Sequence, residues 1–223
     1  MLSMTLREEE PAAGPWRAVS GSQFLQLLMQ AAGSPAGRPR VVAVDGRGAS
    51  GKSTLAERLS RGTGRSAIVH TDDVAWHEPY FAWGHLLADH VLRPLRRGEA
   101  VSFRPPAWER NGRSGSIEVP AGLDLVIVEG VGANQRELAG LIDATVWVQS
   151  DFAMAEERGI ARDIAQGVNG DAEEAVAFWH EWMAEELRFL DQQRPWERAN
   201  MVVAGTPSIP LEEDQIALAA GPL

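Results

Sequence analysis

The stretch GRGASGKS, residues 46–53, decides the fold. It follows VVAVD (41–45), a short apolar, β-rich run, and leads into STLAERLSRG (53–62), a helix-like segment ended by Gly62. Gly46, Gly51, Lys52 and Ser53 match G-x-x-x-x-G-K-[ST] in the strand–turn–helix setting that the motif needs. Glycines let the chain curl, so that backbone N–H groups from Arg47, Gly48, Ala49 and Ser50 through to Thr54 would face phosphate oxygens at a helix N-terminus. Lys52 would reach the β- and γ-phosphates as a compact point charge, and Ser53 would ligate magnesium. The same letters also spell G-x-G-x-x-G, the dinucleotide fingerprint, and the second strand ends in Asp72 at about the distance of a ribose-binding acid. A dinucleotide loop has no use for the Lys-Ser pair, which favours a nucleoside triphosphate.

The rest of the composition narrows the class. The chain has 223 residues, room for one well-buried domain, and its 44% hydrophobic and 23% charged residues are ordinary for a globular protein. A net charge of −10 argues against non-specific nucleic-acid binding. Cysteine is absent, which removes disulfides and thiolate chemistry and fits a reducing compartment. Neither a signal sequence nor an apolar run long enough for a membrane span is present, so the expectation is a cytoplasmic protein acting on small molecules, with room for a homo-oligomer. Among 21 basic residues Lys52 is the only lysine. The Asn-Lys-x-Asp motif of GTPases and the β3 lysine of protein kinases each require one at another position, so both classes are excluded.

Outward from the loop, short apolar strands alternate with helices, the pattern of a parallel sheet covered on both faces. Residues 1–39 read as a loose arm plus a short amphipathic helix capped by Ser20 or Ser22, 40–207 as the phosphate-loop domain, and 208–223 as a weak tail. SAIVHTDD (66–73), LDLVIVEG (123–130), DATVWVQS (143–150) and ANMVVAGTP (199–207) are the further strands. FAWGHLLADHVLRPLRRG (81–98) is helical, 100–120 is a Pro/Gly-punctuated excursion, FAMAEERGIARDIAQG (152–167) is a charged helix, and 171–193 is a long helix with a Val176, Trp179, Met183, Leu190 stripe.

Phosphoryl transfer to a hydroxyl needs a base, a magnesium environment and positive charge near the moving group. Asp72 and Asp73 leave the C-terminal end of the second strand, where open α/β sheets bind ligands, and either can be the base. Glu129 ends the third strand, beside the first, and can hold magnesium-bound water. Arg158 and Arg162 stand four apart on one helix face, able to close over a triphosphate or to pair with their own acidic neighbours; Arg136 is a weaker candidate of the same kind. An acceptor pocket would draw on Trp76, Tyr80, Trp83, Phe103, Arg104, Trp108 and Arg113. Five histidines are scattered without metal spacing.

Taken together, VDGRGASGKSTLA, HTDD, VIVEGV, ERGIARD and VVAGTP resemble the uridine kinase-like branch of P-loop nucleoside kinases over roughly residues 40–207. The resemblance implies a three-layer α/β fold with a five-stranded parallel sheet and a helical lid near 152–167. It also implies ATP with Mg2+ as donor and a nucleoside 5′-hydroxyl, or another small hydroxyl compound such as pantothenate, as acceptor. It places the catalytic aspartate on Asp72, magnesium on Ser53, Asp72 and Glu129, lid arginines on Arg158 and Arg162, and the adenine-side loop on Gly205, Thr206 and Pro207. The family's Asp-Ser-Phe-Tyr-like motif reads Asp-Asp-Val-Ala-Trp here, and its base-gripping set has no clean counterpart beyond Phe103 and Trp108.

Overall fold

Residues 4–223 are described by the structure, a computed structural model. In chain order it comprises β1 (Arg17–Ser20), α1 (Gly21–Ala31), β2 (Arg40–Gly46), α2 (Lys52–Thr63), β3 (Ser66–His70) and α3 (Thr71–Ala75). Next come α4 (Gly84–Leu87), a π turn (Ala88–Leu92), α5 (Arg93–Arg96), β4 (Val101–Phe103), α6 (Pro106–Arg110) and β5 (Ile117–Val119). β6 (Leu125–Glu129), a 3-10 turn (Arg136–Leu141), β7 (Ala144–Gln149), α7 (Phe152–Gln166), α8 (Ala172–Gln193), a 3-10 turn (Pro195–Arg198), β8 (Met201–Ala204) and β9 (Gln215–Ala220) complete it.

One sheet has the order β1-β9-β8-β7-β2-β6-β3. Its inner five strands, β8-β7-β2-β6-β3, run parallel. β9 is antiparallel to both β8 and β1. The sheet thus has seven strands rather than the expected five, the additions coming from the segments read as arm and tail. Their sequences hide it: RAVS is short and half polar, and QIALAA is rich in alanine, a poor strand former.

The strand alternation assigns the two faces. Val41 and Ala43 of β2, with Val126 and Val128 of β6, pack beneath Trp83, Leu87 and Leu92. Val42, Val44, Leu125 and Ile127 face the other way, against Phe24 and Leu28 of α1 and Leu55 and Leu59 of α2. Helices on both faces leave loops free at the C-terminal strand ends, where the phosphate loop follows β2. The 81–98 segment is helical as read, with the π turn just ahead of Pro94, which can give no N–H to a regular ladder. Within 100–120, β4 and β5 form a hairpin of their own. Ser20 caps α1, accepting from the Gln23 N–H at 3.1 Å. No helix among the described residues is long and apolar enough to cross a membrane.

Asp143, at the start of β7, ties the lower edge together. It accepts from Arg38 at 2.7 Å, Arg96 at 2.6 Å and the Val41 N–H at 2.9 Å. Burial pushes its pKa up, but the Arg38 and Val41 hydrogen bonds and the two guanidinium charges outweigh it and leave the carboxyl below its usual range. A depressed folded-state pKa gives stability that is present above the unfolded value near 3.9 and lost as pH falls through the folded value. Asp143→Ala is therefore expected to cost about 3 kcal/mol at neutral pH in chemical denaturation, with the gap to wild type closing below about pH 4.

Candidate active site

Asp45, the last acid before the loop, is 1% exposed and holds three backbone donors: Gly46 at 2.7 Å, Gly132 at 3.0 Å and Asn134 at 2.9 Å. Burial raises its pKa to about 6 against those N–H groups and the Lys52 charge. It fastens the start of the phosphate loop to the turn after β6. Gly46 is required by contact, since a Cβ would stand 2.7 Å from the Val148 carbonyl oxygen. Gly51 is required by conformation, at φ +100°. Lys52 folds over the loop, its Nζ donating to the Arg47 carbonyl at 2.7 Å.

Glu129 stands across from the loop. Ser53 Oγ donates to its Oε1 at 3.1 Å, and His70 Nδ1 lies 2.8 Å from its Oε2. Burial works to raise the Glu129 pKa, but the His70 hydrogen bond, the Lys52 charge and Ser53 prevail and lower it. His70 is raised in turn, chiefly by that same hydrogen bond. The histidines had been set aside for want of metal spacing, yet parallel register alone pairs His70 with Glu129 on neighbouring strands.

Asp72 lies in the first turn of α3. Its side chain is open to water but sits down in a recess, where the surrounding protein raises its pKa against the Lys52 charge. Asp73 is engaged differently: it takes Arg113 at 2.5 Å. Of the two acids, Asp72 is the one that lines the cavity at the phosphate loop.

Helices α7 and α8 roof the loop. They cross at Gly159, where any Cβ would collide with the Trp179 ring. Arg162 and Asp163 of α7 and Trp179 and Trp182 of α8 line, with the phosphate loop, Ser53, Asp72 and Glu129, a cavity of about 500 Å3. Arg162 pairs with Asp163 at 2.7 Å. Arg158 points elsewhere, donating to the Gly205 carbonyl at 3.3 Å. That carbonyl belongs to the 205–207 loop, which abuts the phosphate loop so closely that a Cβ on Gly205 would strike the Ser50 carbonyl. Thr206 Oγ1 there accepts from the Asp151 N–H at 3.2 Å, and Pro207 follows. Arg47 turns away from the cavity, buried 3.9 Å over the Phe152 ring and 3.7 Å from Glu186. Glu186 of α8 also accepts from the Gly48 N–H at 2.6 Å. Removing it leaves the Arg47 charge buried and unpaired, so Glu186→Ala should cost about 3 kcal/mol, read as a lowered melting temperature. Glu186 escaped sequence reasoning because it lies on the Trp179 face of a helix whose stripe looks purely apolar.

A second cavity, of about 390 Å3, adjoins the first and shares Asp72, Asn169, Phe178 and Trp182 with it. Trp76, Tyr80 and Trp83 line it, with His77, Glu78 and Phe81. Phe103, Arg104, Trp108 and Arg136 line neither cavity. Phe103 is buried in the core and stacks on His90; Trp108 is buried too and donates to the Asp73 carbonyl at 2.8 Å. Arg104 donates to the Arg113 carbonyl, and Arg136 to that of Gln193. The 100–120 excursion therefore buttresses α3 rather than walling the pocket, and α8 supplies the opposite wall. Phe178 and Trp182 carried no sequence signal beyond apolarity.

No family model matches the chain, and no curated protein matches it. Among solved structures it is similar to a D-glycerate 3-kinase from Cryptococcus neoformans var. grubii, at 14% identity over 90% of this chain and 99% of that one, with a TM-score of 0.59. It is also similar to a candidate fructose transport system kinase from Silicibacter sp. TM1040, at 20% identity, covering 76% and 95% of the two chains, with a TM-score of 0.56. A possible uridine kinase from Bacillus stearothermophilus gives 19% identity, 82% and 96% coverage and a TM-score of 0.49. Seven strands, a loop of the G-x-x-x-x-G-K-[ST] type after the middle one of the five parallel strands and a two-helix roof over it give this chain the fold of the P-loop kinases that its sequence resembles.

Proposed function

We propose that the protein is an ATP-dependent kinase that phosphorylates a hydroxyl group of a small molecule. One observation carries the reading: Asp72 stands on the wall common to the phosphate-loop cavity and the aromatic one. A carboxylate in that place can accept a hydroxyl proton while facing a bound triphosphate tail.

The residues present fit Mg·ATP. Gly51 holds a left-handed turn with open space beside it, Ser50 Oγ is buried in the loop without a protein partner, and the loop meets the N-terminus of α2. Ser53, Asp72 and Glu129 offer hard oxygen donors for magnesium. Among the described residues no three acidic, histidine or cysteine side chains gather as a closed metal site, as suits an ion that keeps waters and phosphate ligands. When bound, Mg·ATP supplies the γ-phosphoryl group; the acceptor alcohol becomes a phosphate monoester and ADP leaves. Lys52 places positive charge where the transferring group must lie, with the Arg162–Asp163 ion pair beside it; Asp72 takes the hydroxyl proton, and Trp179 and Trp182 exclude water from above.

A nucleoside acceptor, uridine or cytidine in type, is the finer reading that the resemblance implies; aromatic walls able to stack a base support it. The test is ADP release over a panel of alcohols at saturating Mg·ATP, nucleosides first. Turnover above the no-acceptor rate supports kinase activity. Tight Mg·ATP binding with no turnover on any acceptor would leave a nucleotide-binding module in its place.

A further inference from the structure

Aromatic walls serve a neutral base and a cation alike, so the charges around the second cavity decide between them. Trp76, Tyr80, Phe178 and Trp182 line it together with two carboxylates, Asp72 and Glu78. No lysine or arginine does. The guanidinium groups at its border are engaged: Arg113 with Asp73 at 2.5 Å, and Arg110 with Glu78 at 3.1 Å. Glu181 adds negative charge beside Tyr80, as does Glu185, whose charge Arg188 balances in part at 2.5 Å. Besides the acids, the polar side-chain groups there are those of His77 and Asn169, the Tyr80 hydroxyl and the indole N–H groups of Trp76, Trp83 and Trp182. Tyr80 and Phe178 remain 41% and 39% exposed, unusual for such rings unless something covers them. Tyr80 meets Trp182 edge-on at 5.5 Å.

Ring faces carry negative π density and attract ammonium groups, most strongly where water is excluded and acids stand near. An anionic alcohol would shed its hydration here against Asp72 and Glu78, while the bordering Arg110 and Arg113 are already paired with acids. Resting on the kinase reading above, we infer that the acceptor is an alcohol bearing an ammonium or other organic cation, held by these rings beside Asp72. The cation docks among the rings and carboxylates, and its hydroxyl points at Asp72.

Two measurements test this. The first compares kcat/KM at saturating Mg·ATP for choline and amino alcohols, for 3,3-dimethylbutan-1-ol as the uncharged isostere of choline, for uridine and cytidine, and for glycerate and pantothenate. The cationic arm should exceed every other by about tenfold or more; a nucleoside, the isostere or an anion performing equally well overturns the inference. The second titrates tetramethylammonium against the tryptophan fluorescence of wild type and Tyr80→Ala. Saturable quenching in wild type, weakened about tenfold in the variant, is expected, and absence of saturation overturns the inference even if no panel compound is phosphorylated. Mg·ATP affinity, measured separately, reports on the kinase reading alone.

Discussion

Lys52→Ala is expected to lower kcat/KM by roughly a thousandfold and to weaken Mg·ATP binding as well. Lys52 is 7% exposed and its ammonium group is anchored on the Arg47 carbonyl at 2.7 Å, so it is held at the loop before any ligand arrives. No other lysine exists in the chain to replace it. Arginine cannot substitute readily, because its planar fork is broader than the space that a lysine tip occupies beneath the loop. Steady-state kinetics and calorimetry on the variant check both halves. An affinity for Mg·ATP equal to wild type would remove Lys52 from the phosphate site.

Asp72→Asn is expected to separate binding from chemistry. Loss of a general base costs about 10^2 to 10^4 in rate, while the loop, Lys52 and Ser53 that would hold the nucleotide are untouched. kcat should therefore collapse with Mg·ATP affinity nearly unchanged. Asp73 is a poor deputy, being tied to Arg113, which itself lies 3.6 Å over the Trp108 ring. Near-normal turnover in Asp72→Asn would refute the assignment, and a parallel fall in Mg·ATP affinity would recast Asp72 as mainly a magnesium ligand.

Where a residue's position depends on the chain next to it in sequence, that position was legible early. The loop at 46–53, the strand-end acids Asp72 and Glu129 and the helices at 152–167 and 171–193 could all be placed from periodicity and turn chemistry. Roles set by contacts remote in sequence were not. His70 gains its meaning only when β3 pairs with β6, Glu186 only when α8 lies over the loop, and Trp182 only when that helix meets Tyr80 and Phe81. The aromatics at 100–120 misled for the same reason: composition marks Phe103 and Trp108 as apolar, but not which face of the hairpin unit is buried. β1 escaped because an edge strand can be short and need no strong pattern to pair, and β9, held between β1 and β8, because its alanines give a weak strand signal.

The account depends above all on the 46–53 loop cradling a triphosphate rather than a dinucleotide. Isothermal titration of wild type and Lys52→Ala with Mg·ATP and, separately, with NAD tests that directly. Saturable Mg·ATP binding to wild type, its loss or severe weakening in Lys52→Ala, and no heat with NAD are expected. Saturable NAD binding alongside silence with Mg·ATP would contradict it.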